Sequence, residues 1–330
     1  KKKIKKEKNY LLKLKGGLFM TNRRDFIRTF AVGVAGLNLT GLPFQALAKR
    51  RVTKITILHT NDVHSHIDPF PANDPKYPGL GGVAQRAAII NDIRNKERNV
   101  LLLDAGDIFQ GTPYFNLFGG EVELKLMSQL GYDAGTIGNH DFDNGVDGLS
   151  SQLKHANFPL IVCNYDFKGT SMAGKTIPYK IFEKEDVRIG VFGLGIELEG
   201  LVDKKMYGET KYLDPLEKAA ETAHHLKFNE KCDLIICLSH LGYRYPNKKV
   251  SDDVLAKKSL NIDLIIGGHT HTFIDKPFVY KNRDNKDVLV AQVGWAGIKL
   301  GRIDFFVDKK MRTLTADSTT LKVLNYARAI

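Results

Sequence analysis

The chain has 330 residues, 43% of them hydrophobic and 26% charged, with a formal net charge of +12. That length can bury a sizeable core in one large α/β domain or two small ones, and the composition excludes a disordered or fibrous chain. The charge invites comparison with nucleic-acid binders. However, eleven Lys or Arg against Glu7 and Asp25 place nine of the twelve surplus charges in residues 1–48. The body is nearly neutral, so no nucleic-acid polymer is expected as a partner.

In chain order, residues 1–48 read as a basic leader. After the lysine-rich first 19 residues, Met20 opens a stretch with Arg23-Arg24-Asp25-Phe26-Ile27-Arg28, a mildly apolar run and a small-residue pattern at Ala46-Leu47-Ala48. The pattern resembles a twin-arginine export signal, which implies a periplasmic or otherwise exported protein; a basic amphipathic helix is the alternative. The apolar run is too short and too glycine-rich for a stable membrane span.

From residue 52 onward, apolar strand-like runs alternate with helix-like segments. "VTKITILHT", "NVLLLDAGD", "DAGTIGNH", "FPLIVCN", "RIGVFGLGI", "CDLIICLSH" and "IDLIIGGHT" read as strands. "GGVAQRAAIINDIRNKE" has helical spacing. Asp214 followed by Pro215 and Glu217 reads as a helix start. The tail from "KDVLVAQ" to "LKVL" reads as consecutive antiparallel strands. This alternation predicts a layered α/β domain over 49–330. Cys163, Cys232 and Cys237 lack CxxC spacing and lie in or beside apolar runs, so they are expected as buried free thiols.

The polar residues fall just past the ends of these strands: Asp62 and His64, then Asp107, Asn139 and His140, His240, and His269 with His271. In α/β proteins that edge of the sheet binds ligands. Taken singly, each is weak. "DVH" and "GNHD" fit solvated turns, and a lone His240 fits a satisfied core histidine. "GGHTH" is stronger, because two imidazoles at period two follow a diglycine. Asp107 at the mouth of a buried strand must be neutralised or shifted in pKa, and its two oxygens could bridge two ions. Asp104, still within its strand, is expected to play a supporting role. His59, His66, His155, His224 and His225 are expected to be structural or surface residues, and Asp141 to be exposed. The set contains carboxylates, imidazoles and an amide without thiolate, which points to hard or borderline divalent ions. Two such ions, offset by two carboxylates and a hydroxide, leave a positive field suited to an anionic phosphate ester.

"NDVHS", "GDIFQGT", "GNHDFDNG", "LSHLG" and "GGHTH" occur in the order and approximate spacing of the calcineurin-like metallophosphoesterases. More narrowly, residues 53–325 resemble the catalytic domain of the periplasmic 5′-nucleotidase and 2′,3′-cyclic phosphodiesterase group, with Gln110 as a marker of that branch. The resemblance implies a four-layer αββα sandwich and two divalent ions, with manganese, zinc, cobalt and iron all open. It implies that Asp62, His64 and His271 hold one ion, that Asp107 bridges, and that Asn139, His240 and His269 hold the other. One departure is that some bacterial nucleotidases have Gln where this chain has His271. The resemblance further implies that Asn139 and His140 face the substrate. His140 would protonate the leaving oxygen or stabilise the transition state after hydroxide attack, with Asp143 orienting it. Phosphate monoesters, above all 5′-nucleotides, are the implied substrates; a phosphodiesterase or a non-catalytic binding subunit are the alternatives. Family members carry a second, nucleotide-binding domain that has no match in 49–330, so either a separate chain supplies it as a partner or the substrate is smaller or more varied.

Overall fold

The computed structural model describes residues 52–310 and 313–324. The leader and its twin-arginine pattern lie outside the described residues. In chain order the first strands and helices are β1 (Thr53–Thr60), α1 (Val83–Lys96), β2 (Val100–Asp104), α2 (Pro113–Phe118), α3 (Glu121–Leu130) and the two-residue β3 (Ala134–Gly135). They continue with α4 (Gly145–Gln152), β4 (Tyr165–Asp166), β5 (Tyr179–Lys184), β6 (Val187–Leu194), α5 (Lys204–Tyr207) and β7 (Lys211–Tyr212). Then come α6 (Pro215–His224), β8 (Leu234–Ser239), α7 (Asp252–Lys258), β9 (Leu264–Gly267), β10 (Phe278–Lys281), β11 (Asp287–Ala291), β12 (Lys299–Asp308) and β13 (Thr313–Lys322).

Two mixed sheets carry the architecture, ordered β13-β12-β1-β2-β3 and β10-β11-β9-β8-β6-β5. Side-chain alternation along each strand sorts the apolar residues into layers. Ile55, Ile57, Leu101 and Leu103 of the first sheet share one core with Val191, Ile236, Leu238 and Ile266 of the second. The opposite face of the first sheet, with Leu58 and Leu102, packs against Ile90 and Ile93 of α1 and Leu124 of α3. The opposite face of the second, with Ile235, Cys237 and Ile265, packs against Ala219 and Ala223 of α6 and Leu255 of α7. The result is the expected four-layer αββα sandwich. Each fully buried Leu or Ile in its middle contributes about 1.5–3 kcal/mol of apolar transfer. Asp214 caps α6 as its sequence suggests, accepting from Leu216 and Glu217 N–H groups at 2.7 and 3.1 Å.

Two strand expectations are corrected. "FPLIVCN" forms no ladder: Leu160 bridges Gly135, Ile161 bridges Ile177, and Cys163 N–H donates to Gly193. Its backbone finds partners on several different segments, so a buried apolar run gives connecting chain instead of a strand. The tail is not one antiparallel meander either. β11 pairs in parallel with β9, whereas β12 crosses to the other sheet beside β1. The crossing, residues 292–298, runs along the edge where the polar residues gather. Cys232 and Cys237 are buried free thiols, while Cys163 is half-buried.

Candidate metal centre

β1 and β2 run parallel, as do β2 and β3, β6 and β8, and β8 and β9. Their C-terminal ends therefore open on one edge of the sandwich, and the two sheets face each other there. β1 delivers Asp62 and His64, β2 delivers Asp107, β3 delivers Asn139 and His140, β8 delivers His240, and β9 delivers His269 and His271.

The donor atoms form two groups that share a carboxylate. Those of Asp62, His64, Asp107 and His271 all lie within 4.8 Å of one another, and so do those of Asp107, His240 and His269. Asn139 joins the second group, its Oδ1 lying 2.8 Å from His269 Nδ1. Asp107 Oδ2 is 3.6 Å from His64 Nε2 and 3.1 Å from His240 Nε2, and Asp62 Oδ1 is 3.4 Å from His271 Nε2.

The contacts fit divalent cations better than they fit each other. His240 is fully buried and its Nδ1 donates to Ala105 O at 2.7 Å, so that in the neutral ring Nε2 is the lone-pair nitrogen. That Nε2 has no hydrogen-bond partner although Asp107 lies beside it. His64 Nε2 and His271 Nε2 face one another at 3.0 Å. Imidazole nitrogens and carboxylate oxygens crowded together in this way are what a cation satisfies. Electrostatics agree. Burial alone would lower the His240 pKa, yet the Asp107 charge drives it up to about 10. Burial and the neighbouring His240 charge hold His269 down at about 4. A proton on His240 balances Asp107 where an ion would.

The backbone is bent hard to bring these atoms together. Asp62, His64, Asp107, His269 and His271 all have φ between 50° and 70°, the left-handed region. Such residues cost of order 1–3 kcal/mol each and need surrounding structure to hold them. The supports are visible. Asn61 donates to Asp62 Oδ2 and Gly294 O and accepts from Val293 N–H at 2.9 Å. Gln292, fully buried, donates to Gly268 O at 2.6 Å and accepts from Thr270 Oγ1 and Thr272 N–H. A Cβ at Gly138 would lie 2.2 Å from Asp107 Oδ1, so only glycine fits.

Asp141 reverses its expectation: it is 2% exposed. Its two oxygens accept from the N–H groups of Asp107, Ile108, Phe109 and Gly138 at 2.8–3.2 Å. The short 3₁₀ turn His140–Phe142 folds it inward to tie the Asp107 turn to the Asn139 turn. Burial and the Asp107 charge raise its pKa to about 7. Asp104 supports as expected, accepting from Thr60 Oγ1 and Gly106 N–H.

His140 sits at the open side of the cluster, its ring 5.2 Å from that of His64. Its Nδ1 is 3.0 Å from Asp143 Oδ2, and this hydrogen bond raises the imidazole pKa against a smaller effect of burial. Its backbone N–H donates to Asp107 Oδ1 at 2.8 Å. The structure thus brings Asp62, His64, Asp107, Asn139, His140, Asp143, His240, His269 and His271 to one place. His66 stays outside the donor groups, with Nδ1 on the His64 and Val63 carbonyls and its ring stacked on Phe70. His59 is buried behind the site, and His155, His224 and His225 take no part.

Asn61, Asp141, Gln292 and Trp295 escape the sequence reading. Trp295 lies nearly parallel to His271, at 3° and 5.7 Å between centroids. A lone glutamine closing the apolar run "VLVAQ" was the available signal for Gln292.

A double-sheet sandwich that gathers two groups of candidate metal donors at the C-terminal edge of its parallel strands is the arrangement of a metallophosphoesterase. The chain belongs to the calcineurin-like phosphoesterase family, whose model matches residues 55–273. It is 37% identical over 278 residues to the snake venom 5′-nucleotidase of Crotalus adamanteus, covering 78% of this chain and 46% of that protein. The 5′-nucleotidase precursor of Thermus thermophilus superposes with a TM-score of 0.75 at 32% identity, over 82% of this chain and 54% of that one. The calcineurin-like phosphoesterase YfkN of Bacillus subtilis gives a TM-score of 0.66 at 25% identity, covering 85% and 93%. The chain spans about half the length of the curated relatives it matches.

Proposed function

We propose that this chain hydrolyses phosphate monoesters, chiefly 5′-nucleotides, at a centre of two divalent ions. The observation that carries the reading is the shared Asp107, which belongs to both donor groups. Asp62, His64 and His271 would hold one ion, Asn139, His240 and His269 the other, and Asp107 would be shared between them. When bound, such a pair supplies Lewis-acid polarisation of the phosphoryl oxygens and a nucleophile available at neutral pH.

The chain's own residues do the rest. Asn139 ligates without adding negative charge, so the cleft keeps the positive field that a phosphate dianion requires. Asp143 fixes His140 through Nδ1, which leaves Nε2 as the nitrogen free to meet the ester, and the same hydrogen bond raises the imidazole pKa. His140 gives a proton to the departing oxygen, a contribution of about 10²–10⁴-fold. Asp141 and Gln292 keep the ligand turns from relaxing.

The test is phosphate release from 5′-nucleotides by chain reconstituted with manganese, beside bis(p-nitrophenyl) phosphate as the diester. His140→Ala should cut turnover of the nucleotide by about 100-fold or more with metal content unchanged. Equal turnover in that variant removes the assigned role, and preference for the diester redirects the substrate class.

Export is the second part of the proposal, supported by Arg23-Arg24 and Ala46-Leu47-Ala48. Residues 1–48 fused to a folded reporter should direct it out of the cytoplasm, and Arg23→Lys with Arg24→Lys should retain it. Among the described residues no helix is long and apolar enough to cross a membrane.

A further inference from the structure

Behind the candidate metal centre, between α1, α3 and the turn after β1, lies a small cavity of about 20 Å³ lined by Arg86, Glu123, Tyr132, Ser65, Ile108 and Met127 among others. Arg86 is 4% exposed and Glu123 5%. Arg86 Nε and Nη1 and Glu123 Oε2 are buried without a hydrogen-bond partner. A Cβ at Gly297 would lie 1.8 Å from Arg86 Nη1, so glycine there leaves room for the guanidinium.

The chemistry of the lining selects the occupant. An anion suits Arg86 but meets Glu123, and a cation suits Glu123 but meets Arg86. An apolar molecule would leave both unpaired. A neutral molecule that donates and accepts satisfies both, and the volume admits one water.

Two hydrogen-bonded arms leave this cavity toward the ligands. On one side Ser65, the residue after His64, donates through Oγ to Glu123 Oε1. On the other, Thr60 Oγ1 gives its proton to Asp104 Oδ2 at 2.6 Å, so Tyr132 donates to Thr60 at 2.7 Å and keeps a lone pair for the cavity. Asp104 in turn accepts from Gly106 N–H at 2.9 Å, the residue before Asp107. We propose that one resident water, accepting from Arg86 and donating to Glu123, occupies this cavity. Through the two arms it couples the turn bearing His64 to the turn bearing Asp107. The coupling rests on reading those two residues as ligands; the water itself does not.

A high-resolution crystal structure of the full chain should show one water within hydrogen-bond reach of Arg86 and Glu123, and an empty or collapsed cavity overturns the proposal. Glu123→Gln, Tyr132→Phe and the double variant are then titrated with Mn²⁺ alone by calorimetry. Each single change should weaken binding about 10-fold, and the double variant little more than either, because both act through the same water. A double variant weakened by the product of the two overturns the coupling. If Glu123→Gln does not fold, unaltered affinity in Tyr132→Phe overturns it equally. Failure of the unaltered chain to bind Mn²⁺ would remove the metal-centre reading and the coupling with it, and the density would still decide the water.

Discussion

Replacing Gln292 by leucine should loosen the His269–His271 turn without touching a ligand. The side chain is fully buried and holds Gly268 O, Thr270 Oγ1 and Thr272 N–H. Gly268 O keeps a second donor in Thr270 N–H, and Thr270 Oγ1 keeps Tyr243 N–H and Thr272 Oγ1. Thr272 N–H loses its partner outright. One orphaned donor costs about 1–3 kcal/mol and each lost but replaceable bond about 0.5–1.5. Leucine has a similar volume, so the net loss should be about 2–6 kcal/mol on the same scale. It is read by urea denaturation of metal-free protein. Mn²⁺ affinity, measured by calorimetry, should fall about 10–100-fold, as for other supports behind metal ligands. Gln292→Glu separates the contacts, because its carboxylate keeps Thr272 but turns an oxygen toward Gly268 O. Stability within about 0.5 kcal/mol of the unaltered chain, together with unchanged Mn²⁺ affinity, would refute the reasoning.

Manganese at about 100 times its dissociation constant should stabilise the chain by about 2.7 kcal/mol, seen as a rise in melting temperature that EDTA reverses. Gly138→Ala places a methyl 2.2 Å from Asp107 Oδ1 and should abolish saturable Mn²⁺ binding in calorimetry while the far-ultraviolet dichroism persists. Burial holds His59 neutral down to about pH 4, below its ordinary value of 6.5. The unfolded chain therefore binds the proton first. The stability contribution is full above the ordinary value and is lost as pH falls toward the folded one, amounting to about 3 kcal/mol. His59→Gln should flatten urea midpoints across that acid range, and an unchanged slope would clear His59 of the acid lability. Asp214→Ala removes the α6 cap and should cost about 1 kcal/mol in the same denaturation assay.

The layers were legible because burial writes a period into sequence: Ile55 and Ile57 face one core, while Leu58 faces another. The gathered polar residues were legible because each sits just past an apolar run, where a polar side chain has no structural reason to recur. What local pattern could not convey was long-range pairing. The run 158–164 is as apolar as a strand, yet its hydrogen bonds go to segments far apart in the chain. β11 and β12 look like hairpin partners but belong to different sheets. Asp141 reads as an exposed loop carboxylate because its donors come from two turns, one of them far away in the chain. Gln292 and Asn61 bond backbone, and no spacing rule announces such partners.

Five ligand positions in the left-handed region explain why the supports are so many. At about 1–3 kcal/mol each, their combined strain is comparable to the net stability of an ordinary domain. An edge built this way would relax if its turns had only bound cations to hold them. Asn61, Asp104, Asp141 and Gln292 each bond main-chain groups of a ligand turn or of the crossing segment 292–298. The strain is thereby shared with the packed sheets before any ion arrives. The donor atoms are already gathered within 4.8 Å in each group, so binding an ion need not fold the turns. The affinity of the centre should therefore be set as much by these four uncharged or inward-facing supports as by the ligands themselves.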